Sequence, residues 1–246
     1  MLTFLINLDS AQNRRRRMHD QLQAAQVKFE RIGVDLREFT TDEIKRWTST
    51  HLPQVLFDLD RVSTAEAGCW ASHLTAWRGL LRAGNVPSCA VIEDDLILQP
   101  GFANALSLLE RQDAFDVVYL GTSSKNISTR RRTPTGGLWM HEPIGVIFNT
   151  WGYVMTRRYA ERFFSPDRIV IDMPIDHFVG GRAKAVKPRI AVLRPAMVSE
   201  DPDVGLDSQI QPYNSRVDRH PLWEGTRRAL LSSRVSDVYY SLYRLL

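Results

Sequence analysis

The sequence predicts an α/β fold: a nucleotide-binding sheet of Rossmann type flanked by helices, followed by a basic amphipathic helix at the C-terminus. Three observations lead there. Short apolar runs of strand length alternate along the chain with stretches of helical period. The first of them form a strand–helix–strand unit followed by an acid, Asp35, which is the layout of a nucleotide-binding half. A buried strand from Cys89 then runs straight into Glu93-Asp94-Asp95. At 246 residues and 43% hydrophobic content the chain can bury a sizeable core. Residues 1–222 read as one domain and 223–246 as the terminal helix.

In chain order, Leu2 to Leu8 is a buried first strand, and Asp9 or Ser10 caps a helix from about Ala11 to Gln26. Arg14-Arg15-Arg16-Arg17 cover a whole helical turn, so no more than one or two of them face a common ligand. Arg14, nearest the strand end, is the one that can reach a diphosphate. The second strand, Val27 to Ile32, ends at Gly33-Val34-Asp35, where the acid is either a ribose or base acceptor or an ordinary loop acid. No GxGxxG is present, which argues against a dinucleotide site.

Residues 40–63 read as loop with one short helix. The next helix, Thr64 to about Arg82, carries Glu66, Cys69, Trp70, His73 and Trp77 on one face. A Glu and a His in such a stripe need polar partners when buried, and taken alone His73 reads as a satisfied core histidine. After the acidic strand come a helix from Phe102 to Arg111, a strand Phe115 to Gly121, and a polar loop from Lys125 to Thr135. Its Arg130-Arg131-Arg132 run can close on a phosphate-bearing ligand. Val146 to Met155 continues the sheet, and a helix follows from about Arg158 to Phe164. Further on, Pro174 suits a first helical turn with Asp172 as N-cap, leaving Asp176-His177 as the chemically interesting pair. Ala191 to Pro195 is a last strand, and 199–219 reads as a polar loop.

The carboxylates Glu93, Asp94 and Asp95 raise one another's pKa and weaken the fold unless a cation takes up the charge. A hard divalent ion with oxygen ligands, Mn²⁺ or Mg²⁺, does so and keeps positions open for a diphosphate. Alternation in an extended segment puts Glu93 and Asp95 on one face and Asp94 on the other. Asp95 is the first choice of metal ligand, with Glu93 beside it; the alternative is a solvated acidic turn. His177 either competes with Asp176 as the proton acceptor or completes the metal shell.

A net charge of +4 favours anionic company such as a nucleotide or an acidic membrane surface. Two cysteines without CxxC spacing support neither a zinc framework nor disulfides and suit a reducing compartment. The apolar run before Asp9 is too short for a signal peptide, and no segment approaches a membrane span, so a cytoplasmic protein is expected. The terminal helix, with Leu230, Leu231, Val235, Val238 and Leu242 in a stripe among arginines, either packs on the body or lies peripherally on an anionic bilayer.

Phe4-Leu5-Ile6-Asn7-Leu8 with Arg14, Phe29-Glu30-Arg31-Ile32 with Asp35, Glu66 to His73, Ile92 to Asp95 and Asp116 to Gly121 occur in an order that resembles the signature of glycosyltransferase family 25. These are the bacterial lipooligosaccharide galactosyltransferases and their collagen-modifying relatives. The resemblance spans residues 3 to about 180. It implies a GT-A-like fold, a UDP-sugar donor, usually UDP-galactose, and a Mn²⁺ ion held by the acidic motif. It places Asn7, Leu8, Arg14, Asp35, Ser72, His73, Glu93 and Asp94 at the donor, Asp95 and Glu93 on the metal, and Asp176 where the family carries a further acid. Pro195 to Glu200 departs from the expected pattern, which has a glutamine near residue 199 or 200.

The resulting expectation is inverting transfer of a hexose from a UDP-sugar to a hydroxyl of a lipooligosaccharide or other glycan or glycolipid acceptor. Asp176 acts as the base on that hydroxyl. A metal-dependent nucleotidyltransferase or phosphohydrolase ranks lower because no P-loop or comparable glycine loop is present. A non-catalytic nucleic-acid binder ranks lower because the arginine runs lack interleaved aromatics, so no nucleic-acid partner is expected.

Overall fold

Strands three to nine residues long alternate with helices over the described body. The computed structural model describes residues 1–122, 127–145, 147, 149–179 and 187–204. The chain runs β1 (Leu2–Ile6), α1 (Gln12–Ala24), β2 (Glu30–Ile32), α2 (Thr41–His51), β3 (Val55–Phe57), α3 (Thr64–Arg82), β4 (Ser88–Glu93), β5 (Leu96–Leu98), α4 (Phe102–Leu109), β6 (Val117–Tyr119), β7 (Ile127–Thr135), β8 (Leu138–Pro143), β9 (Gly152–Thr156), α5 (Arg157–Phe163), β10 (Ile169–Ile171), α6 (Ile175–His177), β11 (Ile190–Arg194) and β12 (Val198–Glu200). Eight strands form one mixed sheet in the order β2-β1-β4-β9-β6-β11-β8-β7, and β3 with β10 and β5 with β12 form two small ribbons. The α/β class is as the sequence predicts.

Alternation along the strands sorts the core into two layers. Phe4, Cys89, Val91, Tyr119, Tyr153 and Met155 face α2, α3 and α5, where Trp70 and Trp77 are fully buried. Leu5, Ala90, Ile92, Val118 and Val154 face the other way, toward Met18 and Leu22 of α1 and Leu106 and Leu109 of α4. β1 is parallel to both its neighbours, with Ile6 opposite Ile32 on one side and Glu93 on the other. The chain leaves β1 through α1 on one face and enters β4 from α3 on the other. Strand order therefore reverses at β1 and β4, a topological switch point, and open α/β sheets bind ligands at the carboxyl ends of such strands.

Several boundaries differ from expectation for identifiable reasons. α1 starts from Ala11 without a side-chain cap, because Asp9 pairs with Arg31 at 2.7 Å and Ser10 accepts from Arg37 at 3.2 Å. β2 is only Glu30–Ile32. The region 40–63 holds a full helix, α2, with a Thr40/Glu43 capping box, and a strand, β3, that pairs in parallel with β10. The expected loop 125–135 is largely strand: β7 pairs antiparallel with β8, and Arg132 stacks on Trp139 at 4.1 Å. β9 begins only at Gly152. The N-cap of α6 is Pro174, and Asp172 is held by Arg61 at 2.7 Å. The start of the expected 199–219 loop instead contributes to β12, which pairs with β5. The predicted helix 223–246 lies outside the described residues.

Asp116, in the fifth of the signature blocks, is fully buried at the far edge of the core. It accepts from the Arg189 backbone at 2.8 Å, Arg158 at 3.1 Å and Arg162 at 3.0 Å. Burial works against its charge, but these donors prevail and hold its pKa below the usual carboxylate value. Its role is to tie β6, α5 and the start of β11 together.

Candidate active site

A cavity opens at the switch point, walled by the residues that follow three strand ends and by one face of α3. Asn7 and Leu8 come after β1, Asp35 after β2, and Glu93, Asp94 and Asp95 from the end of β4. Arg14 reaches in from α1, and Cys69 and Ser72 from α3. Eight of the residues expected at the donor or the metal are thus brought together, although they come from segments up to 88 positions apart in a 246-residue chain.

Close backbone approaches make this possible. A Cβ on Gly33 would lie 2.3 Å from the Asn7 carbonyl oxygen, and one on Gly68 would lie 2.9 Å from that of Val34. α3 can therefore seat against the end of β2, where Ser72 donates to Gly68 O at 3.0 Å and accepts from Val34 N at 2.9 Å. Ser72 is fully buried with its hydroxyl engaged on both sides, so it builds the wall of the cavity. Ser63 and Glu66 form the capping box of α3, which explains the Glu on its apolar face.

Glu93 and Asp94 point apart. Glu93 lies on the α3 side: it accepts from Thr150 and sits 3.4 Å from His73 Nε2. Burial opposes its charge, yet His73, Thr150 and Arg14 leave its pKa below the ordinary value. Asp94 lies on the α1 side, accepting from Asn7 Nδ2 at 2.6 Å and standing 3.5 Å from Arg14 Nε. Burial raises its pKa more than Asn7 and Arg14 lower it. The expected alternation holds for this pair. Asp95 falls in the bend between β4 and β5, and its Oδ1 is buried with no hydrogen-bond partner among the described residues. Burial first, then the charges of Glu93 and Asp94, push its pKa to about 7. A buried, unpartnered carboxylate oxygen beside two further acids has the chemistry of a cation ligand.

Of Arg14 to Arg17, only Arg14 lines the cavity, as its position predicts; Arg17 pairs with buried Asp201. Asp35 also lines it but is held by Arg37, whose Nε donates at 2.8 Å, and this guanidinium lowers the Asp35 pKa against the effect of burial. His73 lies behind the cavity wall, fully buried, with Nδ1 2.8 Å from Tyr153 Oη, which also accepts from Trp77 Nε1 at 2.8 Å.

Asp176 and His177 are not on the cavity wall. α6 is docked on α3 through Trp70 Nε1, which donates to Met173 O at 2.7 Å, and Asp176 is close enough to Cys69 for its charge to oppose ionisation of the thiol. His177 is buried. Among the described residues, the group of three His, Cys, Asp or Glu ligand atoms near enough to share an ion is Cys69, His73 and Glu93, so the trio Asp95, Glu93 and His177 is not assembled here.

Thr150 and Arg37 were not anticipated. Asn149, at φ 71° in the left-handed region that asparagine tolerates, turns the chain so that Thr150 meets Glu93. Only the pairing of β9 beside β4, with Gly152 opposite Ile92, brings this turn to the acids.

A profile of glycosyltransferase family 25 (LPS biosynthesis protein) matches residues 1–179, the stretch that contains every strand end and helix around the cavity. The chain belongs to this family. Among its relatives, procollagen galactosyltransferase 1-A of Xenopus laevis is 28% identical over 187 residues, 72% of this chain and 30% of that protein. A probable inactive glycosyltransferase 25 family member 3 of Bos taurus is 24% identical over 184 residues, again 72% of this chain and 30% of that protein. The family 25 chain thus spans about a third of the length of these relatives. Among solved structures, A197 from STIV shares 13% identity over 78% of this chain and 80% of its own, with a TM-score of 0.42. No helix among the described residues is long and apolar enough to cross a membrane.

Proposed function

We propose that this family 25 chain is a metal-dependent, inverting galactosyltransferase that moves a hexose from a UDP-sugar to a hydroxyl of a glycan or glycolipid. The observation that carries the reading is the unpartnered Asp95 Oδ1, buried beside Glu93 and Asp94 at the switch point. Asp95 and Glu93 would hold Mn²⁺ or Mg²⁺, an arrangement of one or two carboxylates that leaves the remaining positions to substrate phosphates and water. When bound, the ion supplies neutralisation of the leaving diphosphate.

The chain's own residues do the rest. Arg14, tethered to Asp94, offers a second positive charge to the diphosphate. Asn7 holds Asp94 so that it cannot swing into the metal position. Asp35, kept ionised by Arg37, accepts from the ribose or base. The cavity encloses about 140 Å³, below the ~300 Å³ at which pockets for whole drug-sized ligands begin, so it takes one end of the nucleotide sugar and leaves the remainder over the rim. Asp176, partly exposed on the α3 flank beside Cys69, removes the acceptor proton as the hydroxyl attacks the anomeric carbon. Glycolipid acceptors and peripheral contact of the 223–246 segment with an anionic cytoplasmic membrane face belong to the same proposal.

The test is release of UDP from a panel of sugar nucleotides with and without Mn²⁺. UDP-galactose turnover that requires the metal is the expected result. Equal release without metal, or no release from any sugar nucleotide by folded protein, rejects the reading.

A further inference from the structure

We infer that Cys69, His73 and Glu93 form a separate cation site for a thiophilic divalent ion such as Zn²⁺, sharing only Glu93 with the carboxylate cluster. Their sulfur, nitrogen and oxygen ligand atoms all lie within 4.8 Å of one another. The pair His73 and Glu93 is the informative one. His73 Nε2 and Glu93 Oε1 are 3.4 Å apart, an ion-pair contact when the ring is protonated, and Nε2 has no other partner among the described residues. Two ligands of one tetrahedral zinc, at Zn–N and Zn–O lengths of ~2.0–2.1 Å, stand roughly 3.3–3.4 Å apart. The pair is therefore spaced as co-ligands.

The surroundings fit the same assignment. His73 is fully buried, stacked on Tyr153 and bound to its hydroxyl through Nδ1, so the ring is fixed with Nε2 aimed at Glu93. A metal-bound histidine ordinarily has such an outer partner on its second nitrogen. Cys69 precedes His73 by one helical turn and shares its face of α3, and it is partly exposed on the cavity wall. An ion can thus enter through the cavity and meet sulfur and carboxylate first, with the imidazole at the base. Burial first, and then the charges of Glu93, Asp176, Glu66 and Asp95, push the Cys69 thiol up, and the same four charges favour a cation beside it. Binding releases the Cys69 proton to solvent as the sulfur–metal bond forms.

Ligand type separates the two sites. Thiolate and imidazole favour Zn²⁺, whereas the oxygen-only cluster at Asp95 favours Mn²⁺ or Mg²⁺. Because both use Glu93, zinc bound at the soft site withdraws a carboxylate from the hard one, and the two ions oppose each other.

Cobalt is the probe, on the full chain. One equivalent of Co²⁺ should give near-ultraviolet thiolate-to-cobalt absorption that Zn²⁺ abolishes. Cys69→Ser should remove the band and weaken Zn²⁺, measured against a chromophoric chelator, by ~10²-fold, the scale of losing one strong ligand. Cys89→Ser and Asp95→Asn should keep the band, while Asp95→Asn separately loses Mn²⁺-dependent UDP binding, so the two sites fail independently. Should Cys69→Ser not fold, the parent protein gives the answer: Zn²⁺ should protect Cys69 from alkylation. No band in the parent, a band that survives in Cys69→Ser, or no protection from alkylation overturns the site.

Discussion

Asn7 Nδ2 donates to Asp94 Oδ2 at 2.6 Å and to Ala11 O at 3.1 Å, joining the end of β1 to the acid that follows β4 and to the start of α1. This one amide holds Asp94 toward α1 and so separates it from Glu93, which faces α3. Asn7 is 1% exposed, so removing it leaves a buried carboxylate without its main neutral donor. Asn7→Ala should cost about 2 kcal/mol, the scale of an unsatisfied buried polar group, read by urea unfolding. It should also push the Asp94 pKa higher still, since Asn7 is the largest influence lowering it.

Asp95 sets a pH dependence whose sign is fixed. Its folded pKa of about 7 lies above the ordinary 3.8, so between those values the folded state binds more proton than the unfolded chain. Stability of the metal-free protein should fall as pH rises through that window, with a slope approaching ~1.4 kcal/mol per pH unit. Asp95→Asn should flatten the slope, leave the fold intact, and abolish Mn²⁺-dependent UDP binding. A mutant that retains both the slope and the binding removes Asp95 from the metal role; calorimetry at several pH values reads both.

Asp116 makes the opposite case. Its carboxyl is held below the ordinary value, so its contribution to stability is complete above the unfolded pKa and is lost as pH falls through the folded one. Asp116→Asn should destabilise by about 2 kcal/mol, less than a wholly buried pair because its arginine partners are about half exposed. Donor binding should be unchanged, since the residue is remote from the cavity; altered UDP affinity in the folded mutant would contradict this.

The sequence made the switch-point site legible because the information is local there. Apolar runs ending in Asn7, Asp35 and Glu93 mark strand ends, and parallel pairing then forces those ends to one edge. Arg14 lines the cavity for the same reason: helix geometry lets one residue of the four face the strand end. The signal failed where placement depends on distant pairing. Thr150 reaches Glu93 only through the β4–β9 register, and β3 and β12 exist as strands only because β10 and β5 lie alongside them. The arginines of 130–132 read as loop because polar hairpin strands lack an apolar face to reveal their period.

Assigning the base rests on Asp176 against its neighbour. α6 is three residues long, and among the described residues Asp176 Oδ1 accepts one hydrogen bond, from His177 N at 2.8 Å. That single bond fixes the carboxylate without enclosing it, and Asp176 remains partly exposed, whereas the His177 ring is buried. An acceptor hydroxyl arriving from solvent can meet the first and not the second. Asp176→Asn should therefore lower transfer by ~10²- to 10⁴-fold, the scale of a general base, with UDP and Mn²⁺ affinities nearly unchanged. His177→Asn should act on stability, because it places an amide where a buried ring packs. Steady-state rates combined with calorimetric binding separate the two. If Asp176→Asn instead abolished Mn²⁺ binding while His177→Asn removed turnover alone, the proton acceptor would be His177 and Asp176 would belong to the metal.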